Sequence, residues 1–131
     1  YFLSHHEDLK AIDAFSKAMR LDNMLLEDCY FHRAWAYTNL EQYNKALADC
    51  NALLKMDPES EWPLHLRAWV YGRQKDYKRQ LEDCTTLIRL DPKSPHAYRE
   101  RASVYDSLKQ YQLATNDRRI ARQLTDSKSS H

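Results

Sequence analysis

Glycine is all but missing from this chain: Gly72 stands alone among 131 residues. That excludes a glycine-rich loop able to cradle a phosphate. Only four prolines occur, while alanine, leucine, lysine and arginine are plentiful, a mixture that favours helix over sheet. Charge of one sign is lacking as well. The formal net charge is +1, so no global field points to nucleic acid or a membrane surface. No apolar run approaches the roughly 18 residues a bilayer-crossing helix needs, and no secretory leader is visible. No HExxH zinc motif occurs. Cysteine is found at Cys29, Cys50 and Cys84, an odd count at wide spacing with no CxxC. Free buried thiols in a reducing compartment are expected, and with them a cytoplasmic location that leaves the nucleus open.

What is present is a period. "RAWAY" at Arg33–Tyr37 returns as "RAWVY" at Arg67–Tyr71 and, after the same interval again, as "RASVY" at Arg101–Tyr105. Tyr43, Tyr77 and Tyr111 keep the same step, as do Cys50 and Cys84, "MDP" at 56–58 and "LDP" at 90–92, and Asp49, Asp83 and Asp117. A fixed period of about 34 residues predicts a solenoid of stacked units. Each unit reads as two helices of three to four turns with a tight turn near its Tyr. Pro58 and Pro92 stop the second helix, because proline cannot continue the hydrogen-bond ladder. Ser60 and Ser94 suit N-caps, and Pro63 and Pro95 suit a first turn.

The positions within the period have separate jobs. Ala34, Ala68 and Ala102 are small enough for two helices to approach closely, with Ala46 and Ala114 as partners. Gln80 replaces that alanine in the middle unit and is expected to loosen it. Leu47, Cys50 and Leu54 form an apolar stripe at i, i+3 and i+7, matched by Leu81, Cys84 and Ile88, and earlier by Ile12, Phe15 and Met19. In the last unit the stripe reads Thr115, Arg118 and Arg122. A terminal unit needs such a wettable face. The expected organisation is a partial repeat at 1–26, mainly its second helix; repeats at 27–60 and 61–94; a terminal repeat at 95–124; and a disordered tail at 125–131. Because the chain begins at Tyr1 rather than Met, it is read as part of a longer protein entered inside a repeat.

The segment "CYFHRAWAYTNLEQYNKALADCNALLKMDP" is similar to the helix–turn–helix unit of tetratricopeptide repeat proteins. So are "LHLRAWVYGRQKDYKRQLEDCTTLIRLDP", "AYRERASVYDSLKQYQLATNDRRIARQL" and the partial "DLKAIDAFSKAMRLDN". Departures are Gln80, Asn23 in place of the usual proline, and one extra residue in the first linker. The resemblance implies an all-α, right-handed solenoid of antiparallel helix pairs, with three full repeats and a partial one. It also implies protein binding along a concave groove lined by each unit's first helix. The matching groove positions are Asp28, Phe31, His32, Trp35 and Asn39; then Trp62, His65, Leu66, Trp69 and Arg73; then His96, Arg99, Glu100, Ser103 and Ser107. The first two sets are rich in aromatics and imidazole, and exposed aromatics in a concave patch mark binding surfaces. Some relatives grip the C-terminal carboxylate of heat-shock chaperones with lysine, asparagine and arginine. The corresponding positions here carry Phe31, Trp35, Leu66, His96 and Glu100, or His32, Trp62 and Leu66 in the shifted frame. Neither set supplies the cations a carboxylate needs, so no such clamp is expected.

Other constellations read as structure. Arg33 and Asp49, Arg67 and Asp83, and Arg101 and Asp117 share one fixed separation, with one member on each helix of a hairpin, as a repeated ion pair would. His32, His65 and His96 fall on successive first helices, and three imidazoles can ligate zinc. Neither a carboxylate partner nor HxxxH spacing accompanies them, so no metal and no cofactor is expected. Cys50 and Cys84 fall on the apolar stripe, which disfavours a cysteine nucleophile. Residues 1–60 carry 6 basic and 10 acidic groups, net −4, and residues 61–131 carry 14 and 9, net +5. The favoured reading is a non-enzymatic module that binds a peptide or helix of a partner protein. Trp35, Trp62 and Trp69 would supply the buried area, and His65, Arg73 and Arg99 the polarity. Alternatives are an accessory, substrate-recruiting domain of a larger enzyme, or self-association through the N-terminal end.

Overall fold

The computed structural model describes residues 5–21 and 26–129, all helix or short turn. The helices are α1 (His5–Leu21), α2 (Leu26–Asn39), α3 (Tyr43–Met56), α4 (Glu61–Arg73), α5 (Tyr77–Leu90), α6 (Pro95–Ser107) and α7 (Tyr111–Ser129). The chain divides into two compact units, Tyr1–Val70 and Tyr71–His131, with the boundary inside α4. Asn23 and the first linker lie outside the described residues, as does the side chain of Met19.

The period is built into the turns. Helices α2, α4 and α6 end in step with it, at Asn39, Arg73 and Ser107, and α3, α5 and α7 begin in step with it, at Tyr43, Tyr77 and Tyr111. Each hairpin turn holds one left-handed residue, Glu41, Lys75 or Lys109, at φ 60–61°. The Gln42 N–H reaches back to the Tyr37 carbonyl at 2.9 Å, and the Glu41 N–H to Thr38 at 3.0 Å. Gln110 and Lys109 repeat this on Tyr105 and Asp106, at 2.8 and 3.0 Å. These are the two bonds of a Schellman ending, which satisfy carbonyls that a helix end leaves open. The tyrosine of each "RA-x-x-Y" thus lends its carbonyl to the turn. A left-handed residue is usually glycine here, and this chain has none to spare.

The second helix of a unit ends in its own repeated device. Asp57 and Asp91 adopt extended backbone and send their N–H groups to Leu53 and Leu87. Their carboxylates then accept the N–H two residues on, from Glu59 at 3.1 Å and Lys93 at 3.2 Å. Asp therefore folds the chain over the Pro that stops the helix. Ser94 caps α6, accepting from the Ala97 N–H, with Pro95 in the first turn.

Within the first unit, α2 packs against both α1 and α3. Ala34, Ala46, Cys50, Leu66 and Val70 form its buried core, with Trp35, Tyr37, Tyr43 and Leu47 packed around them. Within the second unit, α6 packs against α5 and α7, and Ala102 and Ala114 are fully buried. The apolar stripe on α3 and α5 is wider than the sequence pattern: Leu53 and Leu87 are buried beside Cys50 and Cys84. Thr115, Arg118 and Arg122 on α7 are all exposed.

Two expectations are corrected. The tail expected to be disordered from 125 is helical through Ser129, as part of α7. No breaker interrupts the helix there, and Thr125 binds it at both ends of its hydroxyl: it donates to the Ala121 carbonyl at 2.9 Å and accepts from Arg99 at 3.0 Å. Gln80 does not simply loosen its hairpin. A Cβ on Gly72 would stand 2.7 Å from the Gln80 amide nitrogen, so the one glycine makes room for the one oversized residue.

Candidate functional site

Within each unit a recurring Arg and Asp are brought together. Arg33 donates from Nε and Nη2 to the two oxygens of Asp49 at 2.8 and 2.6 Å, and from Nη1 to Ser16 at 3.0 Å. Arg101 makes the same fork on Asp117 at 2.8 and 2.9 Å. The hydrogen bond from the carboxylate holds each guanidinium pKa above its ordinary value, against the opposing effect of burial. Two tyrosine rings flank each guanidinium at 5.5–5.8 Å: Tyr30 and Tyr37 beside Arg33, Tyr98 and Tyr105 beside Arg101. The carboxylates of Asp49 and Asp117 are buried, and each joins the two helices of its hairpin through a charge that is already paired. The middle pair straddles the unit boundary; inside the first unit, Arg67 donates to Asn51 at 2.8 Å.

The first unit carries a concave pocket of about 420 Å³ lined by Glu27, Asp28, Phe31, Trp35, Leu53, Ser60, Trp62 and Pro63. Phe31 sits at its centre of contact. The Trp35 ring meets Phe31 edge-on at 6.3 Å and 87°, and the Trp62 ring does so at 6.5 Å and 64°. Such edge-to-face contacts are favourable geometries for aromatic pairs. The cluster continues on either side. His32 stacks on Phe15 at 5.4 Å and 15° and meets Phe31 at 5.8 Å, while His65 lies 6.3 Å from Trp62. Trp35 belongs partly to the core, whereas Trp62 is 71% and Trp69 48% exposed. Phe31 and Trp35 face the same way because they are four residues apart on α2; Trp62 is delivered by the first turn of α4.

Not every expected groove residue offers its polar atoms. The amide nitrogen of Asn39 is buried with no acceptor, so it presents no exposed donor. His96 pairs with Glu100 one turn on. Arg73 is exposed at the end of α4. Arg99 helps to line a second pocket, of about 470 Å³, with Ser103, Arg118, Arg122, Thr125 and Asp126. There Arg118 is bonded to Asp106, whose carboxyl pKa that bond lowers. All three cysteines are free and buried. Burial, with the nearby Glu100 and Asp83 carboxylates, pushes the Cys84 thiol up to about 12, so it is no nucleophile at neutral pH.

The sequence pattern missed Glu27, Leu53, Ser60 and Pro63 as lining residues. It also missed Tyr30 and Tyr98, which lie two periods apart and flank the same guanidinium position.

Residues 27–60 match the family model described as tetratricopeptide repeat. Residues 27–60 are a tetratricopeptide repeat. Among solved structures the chain is similar to MamA at a TM-score of 0.84 and 15% identity, covering 95% of this chain and 72% of that one. It is similar to the first TPR domain of human RPAP3 at 0.67 and 20%, covering 76% and 79%. It is also similar to the first TPR of Spaghetti (RPAP3) bound to the HSP90 peptide SRMEEVD, at 0.67 and 20%, covering 75% and 78%. Identities this low carry the fold alone: all-α, of the tetratricopeptide repeat solenoid class. No curated protein matches the chain. No helix among the described residues is long and apolar enough to cross a membrane.

Proposed function

We propose that this chain is a non-enzymatic interaction module that docks a peptide or helix of a partner protein on the aromatic pocket between α2 and α4. One observation carries the reading: Trp62, 71% exposed, stands over a concave pocket that it shares with Phe31 and Trp35. A cluster of aromatics left partly in water around a concave pocket marks a binding surface, and aromatic anchors dominate the energetics of protein interfaces. Peptide capture by the similar RPAP3 domain supports the class of partner. Its acidic peptide does not suit this pocket, where Glu27 and Asp28 would repel a carboxylate, so a chaperone-tail clamp is disfavoured. His65 and Trp69, in the same unit, would shape the flank of the contact.

The test is selection of binders from a random peptide library on the intact chain, followed by titration against Trp62→Ala. Loss of a fully buried aromatic anchor costs about 2 kcal/mol or more, so binding should weaken at least about 30-fold. Circular dichroism should be unchanged, because Trp62 is outside the core. Selected peptides that bind Trp62→Ala as tightly as the parent would end this reading.

A further inference from the structure

We propose that the pocket of the first unit takes an alkylammonium cation, the side chain of a lysine or methylated lysine in the partner segment. This rests on the docking reading above and adds the chemistry of the anchor. Phe31, Trp35 and Trp62 meet at 87° and 64° rather than in parallel. Three rings at such angles cannot all lie flat on a planar guanidinium. They can surround a compact tetrahedral ammonium, whose charge is attracted to their faces and whose carbon stem is apolar.

The sign of the charge is set by Glu27 and Asp28. The pocket lies at the start of α2 and of α4, and helix N-termini carry about half a positive charge each, which would favour an anion. Two full carboxylates in the first turn of α2 outweigh them. The surrounding unit agrees in sign: residues 1–70 carry 7 basic and 11 acidic groups, net −4.

The experiment uses the intact chain and short capped peptides, Ala-X-Ala, with binding read from the indole N–H resonances of Trp35 and Trp62. X is lysine, trimethyllysine, arginine, glutamate, or the neutral tert-butyl isostere of trimethyllysine. The ammonium peptides should bind about threefold to tenfold more tightly than the isostere, the range of a partly desolvated cation–π contact. The lysine and trimethyllysine arms show whether methylation is required. Glu27→Gln with Asp28→Asn should reduce that advantage and leave the isostere unaffected. Equal binding of the isostere, preference for glutamate or arginine, or no shift at either indole would overturn the proposal. The docking reading survives those results if library peptides still depend on Trp62, so the two failures are distinguishable.

Discussion

Asp117 is 1% exposed and its two oxygens are held by one arginine. Replacing Arg101 by Met keeps the length of the side chain but leaves that carboxylate buried and alone. Removing one partner of a buried ion pair typically costs about 3–5 kcal/mol. The Arg101 side chain is 19% exposed, so some water can reach the site, and the lower end, about 3 kcal/mol, is expected. Removing both charges is different. Arg101→Met with Asp117→Leu strands no charge, and replacement of a buried pair by apolar residues is often neutral or better. The double variant should therefore lie within about 1 kcal/mol of the parent, with a coupling of roughly 2 kcal/mol or more between the sites. Urea unfolding followed by circular dichroism measures this, and hydrogen exchange of the α6 and α7 amides assigns the change to the second unit. A single variant costing under about 1 kcal/mol, or a double variant as unstable as the sum of the singles, would refute the view that this pair sets helix register.

Lys109 sits at φ 61° in the last hairpin. A left-handed conformation costs an L-residue about 1–2 kcal/mol, and glycine returns about 0.5–1 of that in unfolded-chain entropy. Lys109→Gly should thus stabilise by up to about 1 kcal/mol in urea melts, and a loss of stability would contradict the turn assignment. Gly72→Ala should gain little alone, since its Cβ displaces the Gln80 amide; with Gln80→Ala as well, the gain of about 1 kcal/mol expected for Gly→Ala in a helix should appear. Cys84 holds its proton up to about pH 12 when folded, against an ordinary value of 9.0. Its contribution is therefore complete below pH 9 and is lost as pH rises towards 12. Cys84→Ala should flatten that alkaline fall in urea midpoint, and an unchanged slope would remove Cys84 as its cause.

Much of the fold was legible because the period repeats every feature that packing demands. Ala34 with Ala46 and Ala102 with Ala114 are buried where helices must touch, and Arg33 and Arg101 each find an aspartate at the same distance along the chain. The turns were legible in place but not in mechanism, since no glycine announces the left-handed residue. Gln80 was misread because a pattern scores one position at a time, and its compensation by Gly72 exists only in three dimensions. The tail was misread because polarity was taken as an ending; an exposed helix needs no apolar face where side chains such as Thr125 tie it down. The pocket was half legible. Phe31, Trp35 and Trp62 stand out as aromatics at groove positions, whereas Glu27, Leu53, Ser60 and Pro63 are brought to them by three different helices and a linker. The Glu27 and Asp28 carboxylates decide the sign of the charge that the pocket prefers.

The central claim is that ligand contact lies on the aromatic pocket of the first unit. Backbone amide shifts of the isotopically labelled chain, recorded on titration with a library-selected peptide, test it most directly. Shifts centred on Phe31, Trp35 and Trp62 are predicted. Shifts centred instead on Arg99, Arg118 and Arg122, with the aromatic pocket silent, would contradict it.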